Sequence, residues 1–215
     1  MSKLLYAVID SDYKKQTKIF SEEVVPENSF VFLGDSMIDY FKTDEYYENT
    51  NIVNRGIAGD TAAGILNRLD QIIKIKPSVV ILATGSNDYT RYNDDIDTIV
   101  KKILRIKYEL ESNVEGVKVY VLSLTPVLRN HEITNNVYMQ TRNNDIIDEI
   151  NDELSLYTKL IDVNSYLKDE DNNLRLAYTY DGLHLNKLGY DVYGKVIADE
   201  IKELKLKEKT EWVNF

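Results

Sequence analysis

One serine, one histidine and one aspartate in this chain stand where hydroxyl chemistry would need them. Ser36 follows the apolar run 29–33 and the pair Gly34-Asp35, so it falls just past the carboxyl end of a short buried strand. In open α/β sheets the crevice at that edge binds ligands. A serine hydroxyl becomes a nucleophile when a positioned base takes its proton, and His184 is a base of suitable type. Asp181, three residues earlier in Asp181-Gly182-Leu183-His184, can fold back onto the imidazole, fix its tautomer and stabilise the cation. Attack on an ester carbonyl also needs donors aimed at the developing oxyanion. The backbone N–H groups of Ser36 and Gly59 and the side-chain amide of Asn87 are the candidates.

Each piece also has a plainer reading. A Gly-Asp-Ser turn can be a helix cap in which Asp or Ser accepts backbone N–H bonds. Asp-Gly-Leu-His can be a turn before a capped helix, Gly59 a turn glycine, and Asn87 the side chain of an Asx-turn. His131, with no partner in sequence, reads as a surface or structural histidine. The acidic and tyrosine-rich faces read as solvated surface. What favours chemistry is coincidence: all four special loops follow predicted strands or precede predicted helices on one rim of one sheet.

The elements that must position these residues alternate along the chain. Strands are expected at 29–33, 51–54, 79–83, 117–124 and 159–163. A helix capped by Asp60 carries Ile65, Leu66, Leu69, Ile72 and Ile73, and another is expected over 94–110. A third carries Ile146, Ile147, Ile150 and Leu154, and a last one, capped by Asn186, carries Val192, Val196, Ile197, Ile201 and Leu204. Residues 1–28 read as a peripheral helix without chemistry, 129–143 as a substrate-side loop or irregular connection, and 205–215 as a tail with a fraying helix end. The alternation predicts one three-layer α/β/α domain over 1–215 with a mostly parallel five-stranded sheet.

Composition narrows the function. The 215 residues are 43% hydrophobic and 29% charged, with a formal charge of -10, which disfavours nucleic acid or an anionic membrane as partner. There is no cysteine, which excludes disulfides, thiolate catalysis and Cys-based zinc sites. No apolar run approaches the roughly 20 residues of a membrane helix. The N-terminal apolar stretch is too short for a signal peptide, so a cytoplasmic protein is the simplest reading. The glycines after the second strand match neither G-x-G-x-x-G nor the P-loop.

Four blocks in order, Gly34-Asp35-Ser36, the glycine of Gly56-Ile57-Ala58-Gly59-Asp60, Gly85-Ser86-Asn87-Asp88 and Asp181-Gly182-Leu183-His184, give the chain a family likeness. Over about residues 30–194 it resembles the SGNH hydrolases, or GDSL-type esterases and lipases. The runs NRGIAGDT and DGLHLN are similar to the branch of platelet-activating-factor-acetylhydrolase-like and sugar O-acetylesterase proteins. The resemblance implies a flavodoxin-like sandwich, Ser36 as nucleophile, His184 as base, Asp181 as its orienting acid, and Ser36, Gly59 and Asn87 as oxyanion hole. It implies no cofactor or metal, and a small-molecule ester as substrate. Met37 stands where the family name has leucine, and Ile38 takes the second glycine's place in G-x-S-x-G, which disfavours an α/β-hydrolase. An acyltransferase, a lysophospholipase or thioesterase of the same fold, a non-catalytic carbohydrate or nucleotide binder, and a homodimeric state all stay open.

Overall fold

A computed structural model describes residues 3–208. Five parallel strands form one sheet: β1 (Phe30–Gly34), β2 (Ile52–Gly56), β3 (Val79–Ala83), β4 (Lys118–Leu122) and β5 (Leu160–Ile161), in the order β2-β1-β3-β4-β5. In register, Phe30 lies between Ile52 and Val79, and Gly34 between Gly56 and Ala83. The chain leaves β1 toward β2 on one side and β3 toward β4 on the other. Between β1 and β3 the order reverses, which opens a crevice at their carboxyl ends.

Strand side chains alternate between two buried layers. Val31, Leu33, Val80 and Leu82 pack with α4 (Ala62–Asn67), α5 (Leu69–Ile75), α7 (Ile96–Asn113) and α9 (Asn144–Ser155). Phe32, Val79, Ile81 and Ala83 pack with α2 (Ser36–Asp39), α3 (Thr43–Tyr46), α10 (Asn164–Leu167) and α11 (Lys187–Glu200). Every residue of β3 is buried, and each large aliphatic side chain there contributes about 1.5–3 kcal/mol of transfer free energy. The remaining α-helices are α1 (Lys3–Glu22), α6 (Ser86–Tyr92) and α8 (Asn136–Met139), and a short 3-10 turn spans Leu176–Tyr178. Among the described residues no helix is long and apolar enough to cross a membrane.

Several boundaries differ from expectation, each for a local reason. Asp60 is not the cap of α4. Thr61 takes that role by accepting from Gly64 N at 3.1 Å, while both carboxylate oxygens of Asp60 are spent on Thr61 N and buried Arg68. At Arg68 the expected single helix breaks into α4 and α5, because its guanidinium turns inward to Asp60 and to the Arg55 carbonyl. Strand β5 shrinks to two residues because Asp162 turns away and accepts from Ser165 N. Helix α11 ends at Glu200. The residues after Leu204 pair with the 46–49 segment, through Glu48 N to Lys205 O and Lys207 N to Tyr46 O, instead of fraying as helix. The rest of the expected tail, 209–215, lies outside the described residues. Nor are the tyrosines all solvated: Tyr46, Tyr47, Tyr190 and Tyr193 are buried around Phe41, the last two from α11.

Candidate active site

The serine turn reconciles the two readings of Gly-Asp-Ser. Asp35 caps α2, accepting from Met37 N at 3.0 Å, and so leaves the Ser36 hydroxyl free to face the crevice. Burial pushes the Asp35 carboxyl up to about 6, against the lowering effects of the Met37 N–H and the Arg142 charge. Ser36 itself is half-buried.

The 179–184 loop is closed on itself. Thr179 Oγ1 donates to His184 O at 2.7 Å and accepts from Gly182 N at 3.0 Å. Gly182 adopts φ +84°, and a Cβ there would lie 2.3 Å from Leu128 O, so glycine is required. Asp181 Oδ1 accepts from the backbone N–H of Leu183 and His184, and its Oδ2 lies 2.7 Å from His184 Nδ1. A carboxylate can only accept here, so Nδ1 carries the proton and Nε2 is left to accept from Ser36 Oγ, 3.1 Å away. Burial pushes the Asp181 carboxyl up, but the bonds from the His184 ring and the two backbone N–H groups outweigh it and hold it below the usual range. This arrangement can pass a proton from the serine to the imidazole while the aspartate steadies the cation.

Gly59, in the left-handed region at φ +78°, and Asn87, at the start of α6, reach the same crevice from β2 and β3. Asn87 Nδ2 donates to Asp60 O at 2.8 Å, and Asn87 Oδ1 accepts from Arg142 at 2.5 Å. A carbonyl only accepts and a guanidinium only donates, so these neighbours fix which way round the amide sits. One Nδ2 proton is then held by Asp60, and the residue itself lines the crevice.

Sequence reasoning did not single out Arg142. It is 4% exposed, and besides Asn87 it donates to Ser86 Oγ at 2.8 Å and to the Tyr138 carbonyl. Burial lowers its pKa to about 10, opposed by the Asp35 charge, so it stays cationic near neutrality. The 129–143 segment thus does face the site, carrying Tyr138 and Arg142 to it, whereas His131 on the same segment is exposed beside Glu132. Tyr40, Tyr138 and Tyr180 surround the His184 ring with centroids 5.2, 5.6 and 6.2 Å away.

Residues of the expected peripheral helix also reach the site. Leu5, Val8, Ile9 and Asp12 of α1 line the same 180 Å³ pocket as Ser36, Gly59, Asn87 and His184. Their i, i+3, i+4, i+7 spacing was the available signal. Tyr13, Thr17 and Phe20 continue that helical spacing toward the carboxyl end of α1.

The chain is similar to several known proteins. It is 28% identical over 183 residues to an N-acylneuraminate cytidylyltransferase of Escherichia coli O18:K1:H7, covering 81% of the chain and 41% of that protein. To the chicken (Gallus gallus) platelet-activating factor acetylhydrolase IB subunit alpha2 it is 28% identical over 106 residues, 46% of the chain and 45% of the relative. The chain therefore spans less than half the length of the curated relatives it matches. Among solved structures, a platelet activating factor protein from Streptococcus pneumonia superposes with TM-score 0.82 at 26% identity, covering 93% of this chain and 97% of that one. An acetyl xylan esterase shares the fold with TM-score 0.62 at 19% identity, covering 80% and 99%. Residues 32–192, three quarters of the sequence, match the model of the GDSL-like Lipase/Acylhydrolase family, and the chain belongs to that family.

Proposed function

We propose that this chain is a serine esterase that hydrolyses small carboxylic esters with short acyl groups, acetylated sugars foremost, through an acyl-enzyme. Ser36 attacks the carbonyl carbon as its proton passes to His184 Nε2. Asp181 stabilises the imidazolium, and the N–H groups of Ser36 and Gly59 with Asn87 Nδ2 receive the oxyanion. His184 then protonates the leaving alcohol, and water, deprotonated by the same imidazole, releases the acid. The observation that carries this reading is the unbroken path from Asp181 Oδ2 to His184 Nδ1 at 2.7 Å and from His184 Nε2 to Ser36 Oγ at 3.1 Å.

The 180 Å³ pocket supports a short acyl group, being smaller than the roughly 300 Å³ at which drug-sized ligand sites begin. An acylated sugar acid in the name of one relative, and acetylated substrates in those of others, are consistent with an acetylated sugar. The test is hydrolysis of p-nitrophenyl esters from acetate to octanoate by wild type and Ser36→Ala. The proposal expects Ser36-dependent cleavage fastest on acetate. Equal turnover by the variant would end it.

A further inference from the structure

We infer that the N-terminal helix α1, outside the family-matched residues 32–192, forms the wall of the acyl subsite and sets the length of acyl chain accepted, with Ile9 and Leu5 as the determining side chains. The inference rests on the esterase reading above and names the part of the pocket that would hold the acyl group.

Geometry divides the site into two sides. His184 has to protonate the leaving alcohol, so the alcohol belongs on the histidine side, where Tyr40 and Tyr180 stand. Both tyrosines also line a larger neighbouring cleft of 450 Å³, which offers room for that alcohol. Helix α1 borders the pocket at the Gly59 turn, one of the proposed oxyanion donors. A Cβ at Gly59 would sit only 2.8 Å from Ile9 Cγ2 and 3.2 Å from Ile9 Cδ1, so the isoleucine is packed directly onto that turn. Leu5, Val8 and Ile9 line the pocket together with Ser36, Gly59 and Asn87, so an acyl substituent on a carbonyl held there has these side chains, with Leu183, among its walls.

At about 180 Å³ the pocket these residues line favours short acyl groups over long ones. The wall is held in place by polar anchors along the helix. Tyr13 Oη donates to Gly64 O at 2.8 Å, Arg91 pairs with Asp10, and buried Arg55 pairs with Glu23 at 2.9 Å while stacking on Phe20 at 4.5 Å. The first two tie α1 to α4 and α6, and the third ties the end of the helix to β2, so the helix is held beside the pocket.

The test compares kcat/KM for p-nitrophenyl hexanoate and acetate in wild type, Ile9→Ala, Leu5→Ala and, as a control on the same helix, Leu4→Ala, whose side chain is 74% exposed. Removing the wall is expected to raise the hexanoate-to-acetate ratio roughly tenfold or more in Ile9→Ala, with a smaller rise in Leu5→Ala. The control keeps the wild-type ratio. Labelling of Ser36 by methyl- and hexylphosphonofluoridates reads the same ratio without turnover. An unchanged ratio alongside Ser36-dependent hydrolysis overturns the acyl wall and leaves the esterase standing. So does a change that appears only when the alcohol is varied at constant acetyl. No Ser36-dependent hydrolysis and no Ser36 labelling overturn both.

Discussion

Replacing Arg142 by Met should slow ester hydrolysis by about a hundredfold, and should do so entirely through Asn87. The guanidinium donates to Asn87 Oδ1, a charge-assisted bond of about 1.5–3 kcal/mol that fixes which way round the amide sits, as the proposed oxyanion role requires. Without it only the Asp60 carbonyl bond opposes rotation. The limit of the damage is loss of one oxyanion donor, about a hundredfold to a thousandfold in kcat. Because the donor acts on the transition state, kcat falls and KM moves little. The assay is a double-mutant cycle on p-nitrophenyl acetate with Arg142→Met, Asn87→Ala and the pair. If Arg142 works through Asn87, the pair is no slower than Asn87→Ala by more than about threefold. Arg142→Lys, which keeps the charge but has a single donor centre for three acceptors, falls between wild type and Arg142→Met. Multiplicative losses in the pair would refute the reasoning and give Arg142 a direct contact with substrate.

Asp181→Asn should cost roughly ten-thousandfold in kcat, because an amide at that place no longer enforces the Nδ1-protonated tautomer. A loss under tenfold would show that the aspartate is structural only. Asp35→Asn tests linkage. The folded carboxyl titrates at about 6, above its unfolded value, so its stabilisation is full below about pH 4 and is lost as pH rises through 6. Two pKa units correspond to about 3 kcal/mol. Urea melts of wild type against Asp35→Asn, whose Oδ1 still accepts from Met37 N, should therefore diverge in the variant's favour between pH 4 and 7. Parallel curves would count against it. Arg68→Leu should destabilise by about 3–5 kcal/mol, since it leaves the buried Asp60 carboxylate without its guanidinium partner. A denaturation change below 1 kcal/mol would sink that estimate.

The parts of this molecule legible in its sequence are those set by local pattern. Strands β1 and β3 fall where continuous apolar runs place them, because a strand buried on both faces needs no alternation. Asn186 caps α11 as expected, its Oδ1 accepting from Gly189 N. The residues of the four loops were legible for a topological reason: parallel strands deliver every following loop to one rim. What pattern does not carry is the identity of a long-range partner. Arg142 lies 55 residues from Asn87, and nothing in an arginine within a polar stretch says that its fork will close on an amide. Asp60 looked like a cap because Asp before a helix usually is one, and the buried Arg68 competed for it. The α1 stripe announced a buried face without saying that it covers the serine's pocket. Edge strand β5 is shorter than the expected 159–163 because Asp162 leaves the ladder to take the Ser165 N–H, a local turn that the residue pattern does not announce.

The central claim is that Ser36 forms the covalent intermediate. The direct measurement is intact mass and peptide mapping after exposure of wild type and Ser36→Ala to a fluorophosphonate, at matched thermal stability. The account predicts one stoichiometric adduct on Ser36, abolished in the variant and slowed by His184→Ala. An adduct on another residue, or the same labelling in Ser36→Ala, would contradict it.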